Sequence, residues 1–193
     1  MSERSLVLVT GPARSGKSAW AEVLALRSGR AVTYIATAQL DPDDREWQQR
    51  IEQHRQRRPT TWTTLEVTLD LAATIRSATR TDCLLVDSLG TWLANLLHQD
   101  DDPWEKTTQE LLTSLEQTDS TIILVAEEVG WGIVPAYPVG RQFRDRLGAL
   151  VRQIGAIAHP VYLVLGGQVL NLSQLGFPLD QAIEDKIGHT KFN

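Results

Sequence analysis

Short runs of consecutive apolar residues punctuate this chain, and between them the apolar positions recur every three or four residues. The runs lie at 6–10, 32–36, 83–87, 122–126 and 161–165, and the third of them ends in an acid, Asp87. A strand buried on both faces reads this way, because neither face has to alternate with polar side chains. The intervening stretches follow helical spacing instead. The helix after the first run carries Trp20, Val23, Leu24 and Leu26 and ends around Ser28-Gly29, a common helix end. Residues 69–78 and 89–97 predict short helices. Residues 104–117 predict an amphipathic one with Trp104, Leu111, Leu112 and Leu115 inward, and 140–158 another with Phe143, Leu147, Leu150, Val151 and Ile154 inward. Residues 60–67 read as extended, 100–103 as a loop, and 161–165 as the last strand. Strands alternating with helices predict an α/β fold with a mainly parallel sheet flanked by helices.

The polar stretch at 41–58 breaks this pattern. Asp41 is placed to cap a helix with Pro42 at its first position, and Pro59 stops it. The helix expected from residue 43 to about 57 has no apolar stripe. Arg50, His54 and Arg57 or Arg58 fall on one of its faces. At the other end of the chain, residues 173–193 are polar and carry no core of their own. The expected organisation is therefore one domain over 1–172 with a C-terminal appendix over 173–193.

Chemistry enters directly after the first strand. Gly11-Pro12-Ala13-Arg14-Ser15-Gly16-Lys17-Ser18 matches the phosphate-binding loop pattern, in the strand–loop–helix context that gives the pattern its meaning. Backbone N–H groups in such a loop turn inward around phosphate oxygens, and the following helix N-terminus adds positive potential. Lys17 reaches the β/γ-phosphates as a mobile charge, and the Ser18 hydroxyl suits the shell of a Mg²⁺ ion. Pro12 offers no N–H. Asp87, at the carboxyl end of a second buried strand, is the natural partner of Ser18 in holding Mg²⁺ or its waters. The alternative is an acid that caps the next helix. His54 is also open to two readings. Its arginine neighbours disfavour the imidazolium and leave a neutral, nucleophilic imidazole flanked by guanidinium groups; or the stretch is a solvated basic face with an incidental histidine.

Composition narrows the partners. The chain has 193 residues and a net charge of −5, which argues against a general nucleic-acid binder. No apolar run approaches the roughly 20 residues that cross a bilayer. Met1-Ser2-Glu3-Arg4 leads straight into a strand, so no signal peptide is expected. The single cysteine, Cys83, sits in an apolar run and reads as a small buried hydrophobe. A cytoplasmic protein is expected. His98, His159 and His189 are isolated, so no structural zinc is expected.

In these stretches the chain resembles the bifunctional adenosylcobinamide kinase/adenosylcobinamide-phosphate guanylyltransferase family of coenzyme B12 biosynthesis. The resemblance rests on the loop with Ala21-Glu22, on Tyr34-Ile35-Ala36-Thr37-Ala38, and on Arg50-Ile51, His54-Arg55, Arg58-Pro59, Trp62 and Glu66. It continues through Leu85-Val86-Asp87-Ser88-Leu89 and Trp92-Leu93, and through Glu128-Val129-Gly130-Trp131-Gly132-Ile133-Val134-Pro135 with Arg141, Phe143-Arg144-Asp145 and Gly148. It covers roughly 6–172. It implies a P-loop NTPase-like fold, nucleoside triphosphate substrates (GTP and ATP) with Mg²⁺, an adenosylcobinamide acceptor, and a homotrimer. It implies that His54 is the guanylylated residue. It places the nucleotide on the loop from Gly11 to Ser18, on Ala36, Thr37 and Ala38, on Arg55, Gln56, Arg57 and Arg58, and on Glu66 and Asp87. Two other readings compete with it. One is a single-activity P-loop kinase with a structural His54. The other is a nucleotide-gated binding module, although the chain lacks an Asn-Lys-x-Asp guanine-reading motif.

Some residues remain divided between roles. Trp62, Trp92 and Trp131 either face a flat corrin or pack in the core; Trp131, between glycines, is best placed for substrate. Glu128 either accepts the substrate hydroxyl proton, or helps with Mg²⁺, or joins Glu127 in a cap or ion pair. Arg141 and Arg144 either meet phosphates or line a solvated face.

Overall fold

A computed structural model of the chain describes residues 5–39 and 58–179. In order, it contains β1 (Ser5–Gly11), α1 (Lys17–Arg27), β2 (Ala31–Ala36), β3 (Thr63–Glu66), α2 (Leu71–Ser77), β4 (Asp82–Asp87) and α3 (Leu89–Leu96). These are followed by α4 (Asp101–Gln117), β5 (Thr121–Glu127), α5 (Pro138–Ile157), β6 (Val161–Leu165), β7 (Gln168–Asn171) and α6 (Leu172–Leu175). The strands form one seven-stranded sheet in the order β3-β2-β4-β5-β1-β6-β7. All its pairings are parallel except β6 with β7. The α/β fold with a mainly parallel sheet is therefore present.

Alternation along the strands splits the core into two layers. Leu6, Leu8, Ile35, Leu84, Val86, Ile122 and Leu124 pack with the apolar stripes of α2, α3, α4 and α5. Val7, Val9, Val32, Tyr34, Cys83, Leu85, Ile123 and Val125 face the other way, against Ala21 and Ala25 of α1. Both faces of the central strands are buried, which is why their sequences run apolar without a break. Cys83 is fully buried, and desolvation pushes its thiol up.

Two expectations need correction, and one open alternative is decided. Residues 161–165 are not the last strand: Gly166 and Gly167 both take left-handed φ, 58° and 75°, and turn the chain back into β7. Paired glycines at positive φ suit a tight hairpin whose twist matches its strands. The stretch 100–103 is not all loop, because α4 begins at Asp101 with Asp100 at its N-cap. Asp101 and Asp102 complement the positive helix end, and Pro103 is tolerated in a first turn where its missing N–H costs nothing. Trp92 does not face a substrate. It is 1% exposed in the helical layer, beside Trp104, and its Nε1 donates to the Leu69 carbonyl at 2.9 Å. Trp92→Ala is expected to lower unfolding stability by about 3–5 kcal/mol through the cavity it leaves. Chemical denaturation checks this, and an unchanged midpoint would contradict the packing described here.

The predicted helix at 43–57 lies outside the described residues.

Candidate active site

The loop after β1 is shaped by close approach. A side chain at Gly11 would run into the carbonyl oxygen of Val164 on β6 and come within 2.8 Å of the Ser15 hydroxyl. Only glycine lets the neighbouring backbone pass there. Arg14 and Gly16 both take left-handed φ, 59° and 96°, and Ser15 N–H closes the turn onto the Pro12 carbonyl at 3.3 Å. Gly16 is the N-cap of α1, and its carbonyl receives the Trp20 amide at 3.0 Å. The first amides of a helix have no partner within it, so α1 presents donors and its positive end at the loop. Lys17 is buried and rests its Nζ on the Pro12 carbonyl at 3.3 Å. Among the described residues, the buried Ser15 hydroxyl oxygen finds no hydrogen-bond partner. A loop built to close around an anion leaves a group of this kind waiting.

Strand register then gathers residues that are far apart in sequence. Gly11 stands opposite Glu127, Asp87 opposite Val125, and Ala36 opposite both Asp87 and Glu66. In a parallel sheet all of these are carboxyl ends on one edge, where ligands of open α/β sheets bind. β5 stands between β1 and β4, so the loop and Asp87 are separated by the width of one strand. Asp87 continues the alternation of Cys83 and Leu85 and so lies on the α1 face. Its Oδ2 accepts a hydrogen bond from the Tyr34 hydroxyl at 3.0 Å. Burial and then the neighbouring Asp87 charge hold the Tyr34 hydroxyl far above its ordinary range, so it stays a donor. The Arg58 guanidinium lies 3.8 Å from the centroid of the Tyr34 ring and donates to the Thr64 hydroxyl at 3.2 Å.

Thr37 is brought to this edge, but its side chain turns inward. It is fully buried, donating to the Ser88 carbonyl at 2.7 Å and accepting the Ser88 amide at 2.9 Å. Asn95 Nδ2 donates to the Thr37 carbonyl at 2.8 Å. These bonds lock the chain after β2 onto the β4–α3 turn. In that turn Ser88 caps α3 through a reciprocal capping box with Thr91. Ala38 is half-buried beside it, and Glu66 is exposed at the end of β3. The Asp87 alternative, a helix cap, is not its role here, because Ser88 is the N-cap.

The two acids at the carboxyl end of β5 are both engaged. Glu127 Oε2 accepts the Gly90 amide at 3.1 Å, in space that a Cβ at Gly90 would fill. Glu128 is held against β1 twice. Its N–H donates to the Gly11 carbonyl at 3.0 Å, and its Oε1 accepts the Thr10 hydroxyl at 2.6 Å. Arg141 donates to the Pro135 and Ala136 carbonyls at 3.0 and 2.6 Å, bracing the loop ahead of α5, and Arg144 pairs with Asp145 at 3.0 Å. Trp131 is 59% exposed and Ile133 96%, with Val134 and Tyr137 also open. Trp62 is partly buried against the α1-side core. His54, Arg55, Gln56 and Arg57 lie outside the described residues. A groove of about 840 Å³ is lined by Leu112, Arg152, His159, Leu175 and Phe177; it lies towards the amino end of β6, away from the loop.

Tyr34 touches Asp87 and Arg58 although no local pattern in the sequence marks it for the site. Its one signal is a phenol in an apolar strand, where a buried hydroxyl needs a partner.

A family model described as cobinamide kinase / cobinamide phosphate guanyltransferase matches residues 7–172. The chain belongs to that family. This cobinamide kinase / cobinamide phosphate guanyltransferase family member is 45% identical over 174 residues to the bifunctional adenosylcobalamin biosynthesis protein CobP of Pseudomonas aeruginosa, covering 89% of this chain and 98% of the relative. It is 37% identical over 177 residues to the bifunctional adenosylcobalamin biosynthesis protein CobU of Escherichia coli K12, covering 84% and 96%. A solved structure from Pyrococcus horikoshii superposes with a TM-score of 0.56 at 5% identity, over 89% of this chain and 87% of that one. It supports the fold alone. The family member has an α/β fold, a mainly parallel sheet flanked by helices, with the phosphate-loop sequence between β1 and α1. Among the described residues no helix is long and apolar enough to cross a membrane.

Proposed function

We propose that this chain carries out both reactions named in its family's description, on adenosylcobinamide and then on its phosphate. The observation that carries the reading is the convergence at one sheet edge. The phosphate loop and Asp87 lie there, and Arg58, four residues after His54 in sequence, lies over the ring of Tyr34, whose hydroxyl bonds Asp87.

In the first reaction the γ-phosphoryl of a nucleoside triphosphate passes to the hydroxyl of the aminopropanol arm. Phosphoryl transfer is chiefly a matter of positioning and charge neutralisation. The amides of the loop from Gly11 to Ser18 and the start of α1 hold the phosphates, and Lys17 leaves the Pro12 carbonyl to reach the β/γ oxygens. Glu128, fixed by Thr10 beside the loop, is the acid placed to take the hydroxyl proton. The Ser18 hydroxyl and the Asp87 carboxylate are hard oxygen donors of the kind Mg²⁺ takes. A carboxylate accepts at two oxygens, so the bond from Tyr34 leaves capacity for the ion or its waters. Bound there, Mg²⁺ would supply neutralisation of the phosphate charge.

In the second reaction a His54 ring nitrogen attacks the α-phosphorus of GTP. A P–N bond forms, the P–O bond to pyrophosphate breaks, and a guanylyl-histidine results. A phosphate oxygen of adenosylcobinamide phosphate then attacks the same phosphorus, the P–N bond breaks, and adenosylcobinamide-GDP leaves. Arg55, Arg57 and Arg58 oppose the charge that builds at phosphorus. Ala36, Ala38, Gln56 and Glu66 complete the nucleotide's surroundings. Thr37, with its hydroxyl committed to Ser88, acts by holding the loop after β2. The exposed apolar loop around Trp131 suits the face of a corrin. A homotrimer in the cytoplasm, with 173–193 as an appendix beyond the family match, completes the reading.

The first test is nucleotide turnover with and without adenosylcobinamide. Turnover that depends on the acceptor is expected. Slow hydrolysis that ignores the acceptor would point instead to a nucleotide-gated module.

A further inference from the structure

We propose that Tyr34 is a positioning residue for both reactions, its hydroxyl orienting the Asp87 carboxylate and its ring seating the Arg58 guanidinium. The inference rests on the functional reading above. Tyr34 is buried in the middle of β2, paired with Leu85 on one side and Thr64 on the other. Val32, Cys83 and Leu85 share its layer, and packing alone there would be met by phenylalanine. The hydroxyl instead reaches diagonally across to Asp87 Oδ2 at 3.0 Å. A carboxylate at a strand end otherwise turns among rotamers, and a fixed donor on one oxygen selects the orientation of the other.

The ring does separate work. Arg58 Cζ lies 3.8 Å from its centroid while an N–H of the same guanidinium donates to Thr64, a combination of ring contact and directed donor that lysine's point charge does not reproduce. Thr64 is the β3 residue that pairs with Tyr34. A turn fixes the backbone immediately after it, with Trp62 N–H on the Pro59 carbonyl at 3.1 Å and Trp62 itself against the α1-side core. Arg58, close to His54 in sequence, is thus anchored on the same side chain that orients Asp87.

Two substitutions separate the roles. Tyr34→Phe removes the hydroxyl and keeps the ring; Tyr34→Leu removes both. Arg58→Lys keeps the charge and loses that combination, which covers the case of a Tyr34→Leu protein that fails to fold by thermal melting. The first readout is binding of a fluorescent GTP analogue as Mg²⁺ is titrated. The second is the rate at which guanylyl label appears on the chain at saturating Mg²⁺. Tyr34→Phe is expected to raise the Mg²⁺ concentration for half-maximal effect by roughly tenfold, the scale of a lost hydrogen bond to a charged group, and to label at the wild-type rate. Tyr34→Leu and Arg58→Lys are expected to label roughly tenfold more slowly, the scale of losing a half-buried guanidinium's seat on the ring. In Arg58→Lys the Mg²⁺ dependence should stay at the wild-type value. An unshifted Mg²⁺ dependence in Tyr34→Phe overturns the hydroxyl's role. Wild-type labelling by Arg58→Lys overturns the ring's. A wild-type chain that takes no label overturns the functional reading and the ring's role with it, whereas the Mg²⁺ titration reads binding alone and still decides the hydroxyl's.

Discussion

Lys17→Ala is expected to reduce acceptor-dependent phosphorylation on the order of 10²–10³-fold, the scale of removing one preorganised donor from a developing charge. Among the described residues, the Lys17 ammonium bonds a neutral carbonyl, that of Pro12, at a long 3.3 Å. The fold therefore depends little on it, and alanine is a good helix former at the first position of α1. With nucleotide bound, the same ammonium is the mobile charge next to the β/γ-phosphates, and neither Ser15 nor Ser18 can replace a positive charge. The measurement is kcat/KM for adenosylcobinamide phosphorylation beside a thermal melt. A large activity loss with a nearly unchanged melt is the expected pair. An active Lys17→Ala protein would remove the phosphate-loop assignment, and a collapsed melt would show that Lys17 is structural.

His54→Ala is expected to have a larger and more selective effect. Removing a covalent nucleophile costs on the order of 10⁴–10⁶-fold in systems where the covalent route is the only fast one. Guanylyl transfer to adenosylcobinamide phosphate should fall to background. Phosphorylation of adenosylcobinamide should persist, because the loop, Asp87 and Glu128 do not include His54. Separate assays of the two transfers on the same preparation check this. Equal losses in both would make His54 a general nucleotide contact. No loss in either would return it to a solvated basic face.

The parts of the site that were legible in the sequence are those made locally. The loop pattern, the strand before it and the helix after it are contiguous, so Gly11, Gly16, Lys17 and Ser18 were readable together. Asp87 was readable because an acid ending an apolar run marks a strand's carboxyl end. What register decides was not readable. That Ala36 stands between Glu66 and Asp87 follows from pairings of β2 with β3 and β4, and no local pattern encodes those. The inward turn of Thr37 depends on Ser88, 51 residues away, and a threonine's hydroxyl looks the same in sequence whether it meets a ligand or a backbone. The Tyr34–Asp87 bond spans 53 residues in the same way. β7 is not marked in the sequence, because paired glycines suit the end of a strand as well as a hairpin, and their left-handed φ values decide for the hairpin. The start of α4 at Asp101 is marked by no apolar position, and a first helical turn accepts Pro103. Trp92 and Trp131 could be separated only by the fold, which buries the first and leaves the second open.

The most direct measurement is on the covalent intermediate. The protein is incubated with Mg²⁺ and GTP labelled at the α-phosphorus, denatured, and examined for label on the chain, with His54→Ala beside it. An acid-labile, alkali-stable label on the wild-type protein that is absent from His54→Ala is the predicted result. A wild-type protein that binds GTP and takes no label would contradict the guanylyl-histidine and leave a phosphate-loop kinase with one activity.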